Sequence, residues 1–517
     1  MERSPEQRRI AVMDTTLRDG EQTPDISYTP AEKREIARLL LTEVKVDRIE
    51  IASTRVSEGE RLAAARIASW ARREKLLPRI EILGYSDGKA SVDWIAGVKA
   101  TSMNLLAKGS ERHCREQLRM TPEQHRKQVA NTLRYAKSRR VRVAGAYLED
   151  WSNGVRASFD YVHALVCLLH EHGVERIYLA DTLGVLGPAE TQRYVTLMTS
   201  AFPDVVFEIH AHNDYGLANA NCLAAVEAGA RGIHTSVNGL GERAGNTKLA
   251  EVVAALHDQT DFRTGVDETR LVAVSRLVET FSGKEVPANS PIVGRDVFTQ
   301  TAGIHADGDA KGDLYASRLL PARFARERRY ALGKLSGRAS LDQNLKALGI
   351  DLPDDDRQLV LKRIIELGDK KHTVVPEDLP YIIADVLKRP EERRVQIASY
   401  RVAVGSEETP HAEVTIRVGD QVEKAQASGD GGYDAFMNAL KKAARRVDVK
   451  VPRLEDFRVR IPPGGRTGAL VETLITWRID GGPEGTLKTV GVDSDQLAAA
   501  VIATEKMLNS LARGRKG

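Results

Sequence analysis

From Ile10 to about residue 260 the chain alternates short β-branched runs with amphipathic segments, the signature of repeated strand–helix units. The periodicity predicts strands at Ile10–Asp14, Val46–Ala52, Arg79–Leu83, Ser102–Leu106, Arg140–Leu148, Arg176–Asp181, Val205–His212 and Gly232–Asn238. Helices are expected between them, Pro30–Thr42 and Gly59–Glu74 among others. Eight such units in about 250 residues have the count and size of a (β/α)8 TIM barrel. A doubly wound open sheet is the competitor, but no G-x-G-x-x-G follows the first strand. The expected architecture is the barrel.

Beyond Asp267 the pattern turns helical and irregular, with small amphipathic helices predicted at Gln358–Leu367 and Tyr381–Leu387. Two polar, glycine-bearing stretches here, Thr299–Gly308 and Gly333–Arg338, read as loops that serve a site. A charged linker, Lys388–Arg394, precedes a second alternating region. Strands are predicted at Val395–Val404, His411–Val418 and Gln421–Ala427, then a helix at Gly432–Val447. Strands at Phe457–Ile461, Ala469–Arg478 and Thr486–Val492 and a helix at Asp495–Ser510 follow, so the order βββα occurs twice. The expected domains are a barrel over 1–266, helical linker subdomains over 267–390, and a compact α+β module over 391–517. Such a module suits ligand sensing or dimerisation.

Composition narrows the classes. At 517 residues two or three cores are expected. A net charge of +4, with no strong basic block before the short tail from Arg513, gives no argument for nucleic acid. No apolar run approaches the roughly 20 residues a membrane span needs. The start, MERSPEQRRI, lacks the apolar core of a signal peptide, and Cys114, Cys167 and Cys222 are few, odd in number and far apart. Both observations predict a cytoplasmic location.

The C-terminal ends of barrel strands should carry chemistry, and ionisable residues cluster there. The first predicted strand leads into Asp14-Thr15-Thr16-Leu17-Arg18-Asp19-Gly20-Glu21-Gln22. The fifth ends in Tyr147-Leu148-Glu149-Asp150, the sixth in Asp181-Thr182, and the eighth leads into Asn238–Asn246. The seventh carries Glu208, His210 and His212, which alternation puts on one face. Two imidazoles two residues apart on a rigid strand can grip one divalent metal, with Glu208 as ligand or supporting partner. The alternative is a pair of core or surface histidines. Asp19 could complete a three-ligand site with open positions, and the mixed oxygen and nitrogen set fits zinc, manganese or magnesium. Asn246 reads either as a carbonyl ligand or as the cap of a helix starting at Thr247. Arg18 is placed to meet a developing oxyanion. Glu149 and His305 are the candidate proton carriers, although Glu149 could instead hold an arginine or cap a helix. His305 lies outside the barrel, so its use requires the following region, from this chain or a partner subunit, to cover the rim.

The blocks TTLRDGEQ, HAHND, NGLGERAGNT and GIHADG, with the closing IPPGG and VETLITW, resemble the acetyl-CoA-dependent Claisen-condensing enzymes of the DRE-TIM metallolyase superfamily. These include the 2-isopropylmalate, homocitrate and citramalate synthases, and the resemblance runs from Asp14 through nearly the whole chain. It implies a metal held by Asp19, His210, His212 and Asn246 that chelates a 2-oxo acid, and a substrate pocket that includes Arg18 and Gln22. Thr182 would hydrogen-bond the substrate carboxylate, Arg18 polarise its carbonyl, and Glu149 or His305 take a proton from the acetyl-CoA methyl. The pocket wall falls to Leu83, Leu106 and Tyr147. Bulky groups there leave room for a methyl and favour pyruvate, hence citramalate formation for isoleucine synthesis, over 2-oxoisovalerate and leucine synthesis. No basic group is placed for the second carboxylate that a homocitrate synthase needs.

The C-terminal module resembles the regulatory domain of these synthases, which binds an end-product amino acid at a homodimer interface. Tyr433, Leu454, Phe457 and Gln496 would approach that effector, isoleucine if pyruvate is the substrate, and Phe457 stands where a tyrosine is expected. A lyase of the same superfamily would lack the long C-terminal module. A non-catalytic amino-acid sensor on the same fold would be expected to have lost some of the rim residues, and all of them are present.

Overall fold

In the computed structural model eight parallel strands close into a barrel in sequence order. They are β1 (Ala11–Asp14), β2 (Arg48–Ser53), β3 (Ile80–Tyr85), β4 (Ser102–Lys108), β5 (Arg142–Glu149), β6 (Ile177–Asp181), β7 (Phe207–Ala211) and β8 (Gly232–Thr235). Closure is made by β1 on β8, with Ala11 opposite Gly232 and Asp14 opposite Thr235. The structure describes residues 8–312, 314–369, 374–387, 394–460, 471–479 and 486–513. These form two compact units: the chain up to Val297 with Arg318–Glu327, and Phe298–Ser317 with the chain from Arg328 onward.

Strands covered on both faces are buried along their whole length, as β6 and β7 are. The surrounding helices start where the sequence supplies caps. Thr29 and Thr121 each form a capping box, with Glu32 and Gln124, and each is followed by a proline that presets the first turn. The helix predicted over Pro30–Thr42 is α-helical only to Leu39. A π turn, Leu40–Val44, then ends it at Lys45 in the left-handed region. Two predicted strands are shorter than expected at the catalytic rim. The β7 ladder stops at Ala211, one residue before His212, and β8 stops at Thr235 because the chain turns at Asn238, which has a φ of 59°. Gly145 on β5 makes room in the barrel interior, since a Cβ there would stand 2.1 Å from the ring of Tyr178.

In the second unit, helices Arg338–Ala347, Asp354–Asp369 and Leu379–Leu387 pack around Leu341, Leu345, Val360, Ile364 and Leu379. The βββα order then occurs twice, as the alternation predicts. Antiparallel strands Val395–Ala403, His411–Val418 and Gln421–Ser428 are followed by helix Gly432–Arg446. Strands Arg453–Arg460, Val471–Arg478 and Thr486–Asp493 are followed by helix Gln496–Arg513. The strand expected from Phe457 starts four residues earlier, at Arg453, where it pairs with Arg478. The IPPGG block and most of the predicted charged linker lie outside the described residues. All three cysteines are free, and among the described residues no helix is long and apolar enough to cross a membrane.

Candidate active site

The turn after β1 is tight: the amides of Arg18, Asp19 and Gly20 all donate to the Thr15 carbonyl. It presents Arg18 and Asp19 at the mouth of the barrel. Behind the turn the fully buried Lys33 donates to the Leu17 carbonyl, pairs with Glu21 at 2.5 Å and also pairs with Glu60. The loop after β8 folds back on itself. Gly245 sits so close to the Gly239 carbonyl that a Cβ would come within 1.9 Å of its oxygen, and its φ of 83° suits only glycine well. That fold-back brings Asn246 into a β-bridge with His212.

Asp19, His210 and His212 offer ligand atoms that all lie within 4.8 Å of one another, and all three residues are buried. His210 Nε2 is 3.0 Å and His212 Nε2 4.0 Å from Asp19 Oδ2, while Arg18 holds the other carboxylate oxygen at 3.2 Å. Burial disfavours charge on Asp19, yet Arg18 and the two imidazoles outweigh it and hold the carboxyl well below the usual range. Burial pushes His212 down to about 4, so it is the neutral imidazole a metal requires. Asp19 Oδ2 and Asn246 Oδ1 are buried acceptors without a hydrogen-bond donor among the described residues. Orphaned buried acceptors are rare and costly; Asp19 Oδ2 converges with the two histidines, and Asn246 is joined to His212 through the backbone bridge. A divalent cation fits them.

Arg18 donates through Nε to Glu50 at 2.5 Å and through a terminal nitrogen to the Tyr147 hydroxyl at 3.1 Å. Burial disfavours its charge, but Asp19 and Glu50 keep the guanidinium protonated well above the usual range. The Tyr147 hydroxyl in turn donates to Glu50 at 3.1 Å, and Asn104 donates to the other Glu50 oxygen at 2.7 Å. Glu50 on β2 is thus the anchor of the cationic group. A cavity of about 180 Å³ opens above, lined by Arg18, Asp19, Gln22, Thr182, His210 and His212 on its polar side. Leu83, Leu106, Tyr147 and Ala180 form its apolar side.

Residues 9–278 match the HMGL-like family model, residues 292–372 the homocitrate synthase post-HMGL domain-like model, and residues 373–512 the LeuA allosteric (dimerisation) domain model. The chain is 36% identical over 511 residues to a probable 2-isopropylmalate synthase of Methanopyrus kandleri, covering 98% of this chain and 99% of that one. It is 35% identical over 457 residues to a putative (R)-citramalate synthase of the same organism, covering 88% of each. The (R)-citramalate synthase of Methanocaldococcus jannaschii is 33% identical over 510 residues, 97% of this chain and 99% of that one. The chain belongs to the family of citramalate and 2-isopropylmalate synthases.

For a member of this family, the barrel brings together most of the rim residues that the sequence marks out. Arg18, Asp19, Gln22, Leu83, Leu106, Tyr147, Glu149, Thr182, His210 and His212 line one cavity. Asn246 is not a helix cap, because the next helix starts at Leu249 with Lys248 before it. Glu208 is on the inward face as alternation requires, but one layer below the Asp19, His210 and His212 cluster. It accepts from Arg48 at 2.6 Å and lies 3.1 Å from His234 Nε2, so it does not join the ligand cluster. Periodicity gives the face of a strand, not the depth. Among the described residues Glu149 holds neither an arginine nor a helix end; it pairs with Lys108 from β4. His305 lies on helix Gly303–Ala310 of the second unit, its ring 4.3 Å from that of Tyr315.

Glu50, Asn104, Lys108 and His234 are the site residues that the sequence reading misses. The available signal was a lone acid inside the apolar run Arg48–Ser53, which a buried strand tolerates only with partners. In the C-terminal module Tyr433, Leu454 and Phe457 pack against the same core, with the Tyr433 and Phe457 rings 4.9 Å apart. Tyr433 shares a 2.7 Å hydrogen bond with Thr504. Gln496 opens the last helix, is exposed, and its side chain forms no hydrogen bond with a described residue.

Proposed function

We propose that the chain condenses acetyl-CoA with pyruvate and water to give citramalate and CoA, with isoleucine as the feedback effector bound by a homodimer. The observation that carries the choice of substrate is the cavity wall. Leu83, Tyr147, Tyr178, Ala180 and Met13 form one buried cluster with Leu106 packed against it. Tyr147 is clamped by Arg18 and Glu50 and therefore cannot swing aside to admit a branched substituent. A methyl group suits that wall; an isopropyl group does not.

Asp19, His210, His212 and the Asn246 carbonyl would hold a divalent metal, which would supply Lewis acidity toward a bound 2-oxo acid. The protein's own groups do the rest. The Thr182 hydroxyl oxygen already accepts the Asp150 amide at 2.8 Å, which leaves its proton free to donate to the substrate carboxylate. Arg18, fixed by Glu50, faces the cavity as a permanent cation where negative charge develops on the substrate carbonyl oxygen. Glu149, oriented by Lys108, takes a proton from the acetyl methyl, which is weakly acidic beside the thioester and needs a positioned base. Hydrolysis of the thioester then releases CoA and drives the reaction forward.

The test is CoA-thiol release from acetyl-CoA with pyruvate and with 2-oxoisovalerate, side by side and with a divalent metal present. Release with pyruvate alone supports this reading. Preference for 2-oxoisovalerate overturns it in favour of 2-isopropylmalate synthesis with leucine as effector. Silence with both, on folded metal-loaded protein, favours an amino-acid sensor.

A further inference from the structure

The second unit contains a cleft of about 1350 Å³, far larger than an amino-acid effector needs, and Tyr433, Leu454 and Phe457 are not among the residues that line it. One wall is the C-terminal end of helix Gly432–Arg446 and the turn that leads into strand Arg453–Arg460. The other is the end of helix Arg338–Ala347 and the start of helix Leu379–Leu387. Its floor is apolar, from Val449, Val451 and Leu487.

The cations of that first wall divide by face. Lys442 donates to the Gln426 carbonyl, and Arg446 to Glu423 and the Lys424 carbonyl, so both are tied back to the sheet. Lys441 and Arg445, one residue earlier in each case and four apart on one helical face, line the cleft. Neither makes an ion pair or a side-chain hydrogen bond with a described residue, and the same holds for Lys450 and Arg453 across the turn. Helix-end cations that merely complement the carbonyls would not explain Lys450 and Arg453. The acids in the lining, Asp448 and Glu377, form no ion pair with the four. Burial pushes Glu377 up to about 7, so near neutrality it carries only part of a negative charge.

Four unneutralised cations around an apolar floor form a receptor for a ligand with clustered negative charge and a flat apolar part. We propose that this cleft binds a nucleoside polyphosphate, its phosphates held by Lys441, Arg445, Lys450 and Arg453 and its base on the apolar floor. The site is separate from the barrel chemistry and does not depend on the substrate assigned above.

The experiment is calorimetric titration of the full-length protein with ATP, with ADP and with pyrophosphate as probes. Saturable ATP and ADP binding is expected, tighter than that of pyrophosphate, which has no base. Lys441→Ala/Arg445→Ala should weaken ATP binding at least about tenfold. Lys442→Ala/Arg446→Ala, which removes equal charge from the adjoining sheet-facing side of the helix, should leave binding within about twofold. Thiol release without nucleotide should be the same in the parent and the two double variants. His212→Ala in the barrel should bind ATP as the parent does. The proposal is overturned if no probe binds up to about 1 mM, if the two double variants lose affinity equally, or if His212→Ala abolishes binding. It is also overturned if Lys441→Ala/Arg445→Ala changes the mass in solution, because the cleft would then be a face between copies of the chain.

Discussion

The barrel and the C-terminal module bury polar groups for different ends. Inside the barrel Arg48, Glu50, Glu81, Glu208, His210, His212 and His234 are all nearly inaccessible, joined by charge-assisted contacts that cross from strand to strand. Burial pushes His234 down to about 3, while Arg48 and His234 offset the burial of Glu208 and hold it at about 2. Such a network is satisfied only in one arrangement, and at the rim it leaves Asp19 Oδ2 without a donor among the described residues. The module instead buries aliphatic and aromatic side chains, among them Phe436, Leu440, Ile475 and Trp477. Its buried polar atoms mostly serve local packing: Trp477 donates to Thr489 at 2.9 Å, and Asn509 accepts from the Val395 amide at 3.1 Å and donates to the Val395 carbonyl at 2.7 Å. The contrast teaches where to look for chemistry: in the unit whose buried charges are left incomplete.

The largest effect should come from the incomplete cluster. His212→Ala is expected to cut thiol release by about a thousandfold or more, with loss of stoichiometric bound metal and little change in unfolding temperature. Retained activity would show that the cluster does no chemistry and would erase the contrast. Trp477→Ala should do the reverse. Loss of this fully buried side chain is expected to destabilise the module by about 3–5 kcal/mol, read as a lower midpoint in urea, while turnover of protein that is still folded stays near normal. A collapse of turnover in folded protein would mean the two units are not energetically distinct.

Leu106→Ala sharpens the account of the wall. Shortening this half-buried side chain should raise the ratio of 2-oxoisovalerate to pyruvate turnover by about ten- to a hundredfold, measured as kcat/KM for each. An unchanged ratio would remove the wall from substrate choice. The smallest effect is expected at the module: Phe457→Tyr adds a hydroxyl beside Tyr433 and should shift the half-inhibitory isoleucine concentration downward by about two- to tenfold, without altering uninhibited turnover. No shift would place the effector elsewhere.

What the sequence determined by itself was local and periodic. The alternation of apolar and polar positions specified eight strand–helix units and the doubled βββα order, because burial of one face has to follow the backbone period. Short-range spacing placed Arg18, Asp19, His210 and His212 at strand ends, since those residues share a turn or a strand. Only the tertiary structure decided which groups meet across the barrel. Arg18, Glu50, Asn104 and Tyr147 come from four strands or their ends, and no local rule links positions so far apart in the chain. It also decided that Glu208 sits one layer below His210, that Lys108 rather than an arginine holds Glu149, and that Asn246 turns inward through a bridge to His212. Strand register and loop closure set depth and partner, and both are settled by packing the whole barrel at once.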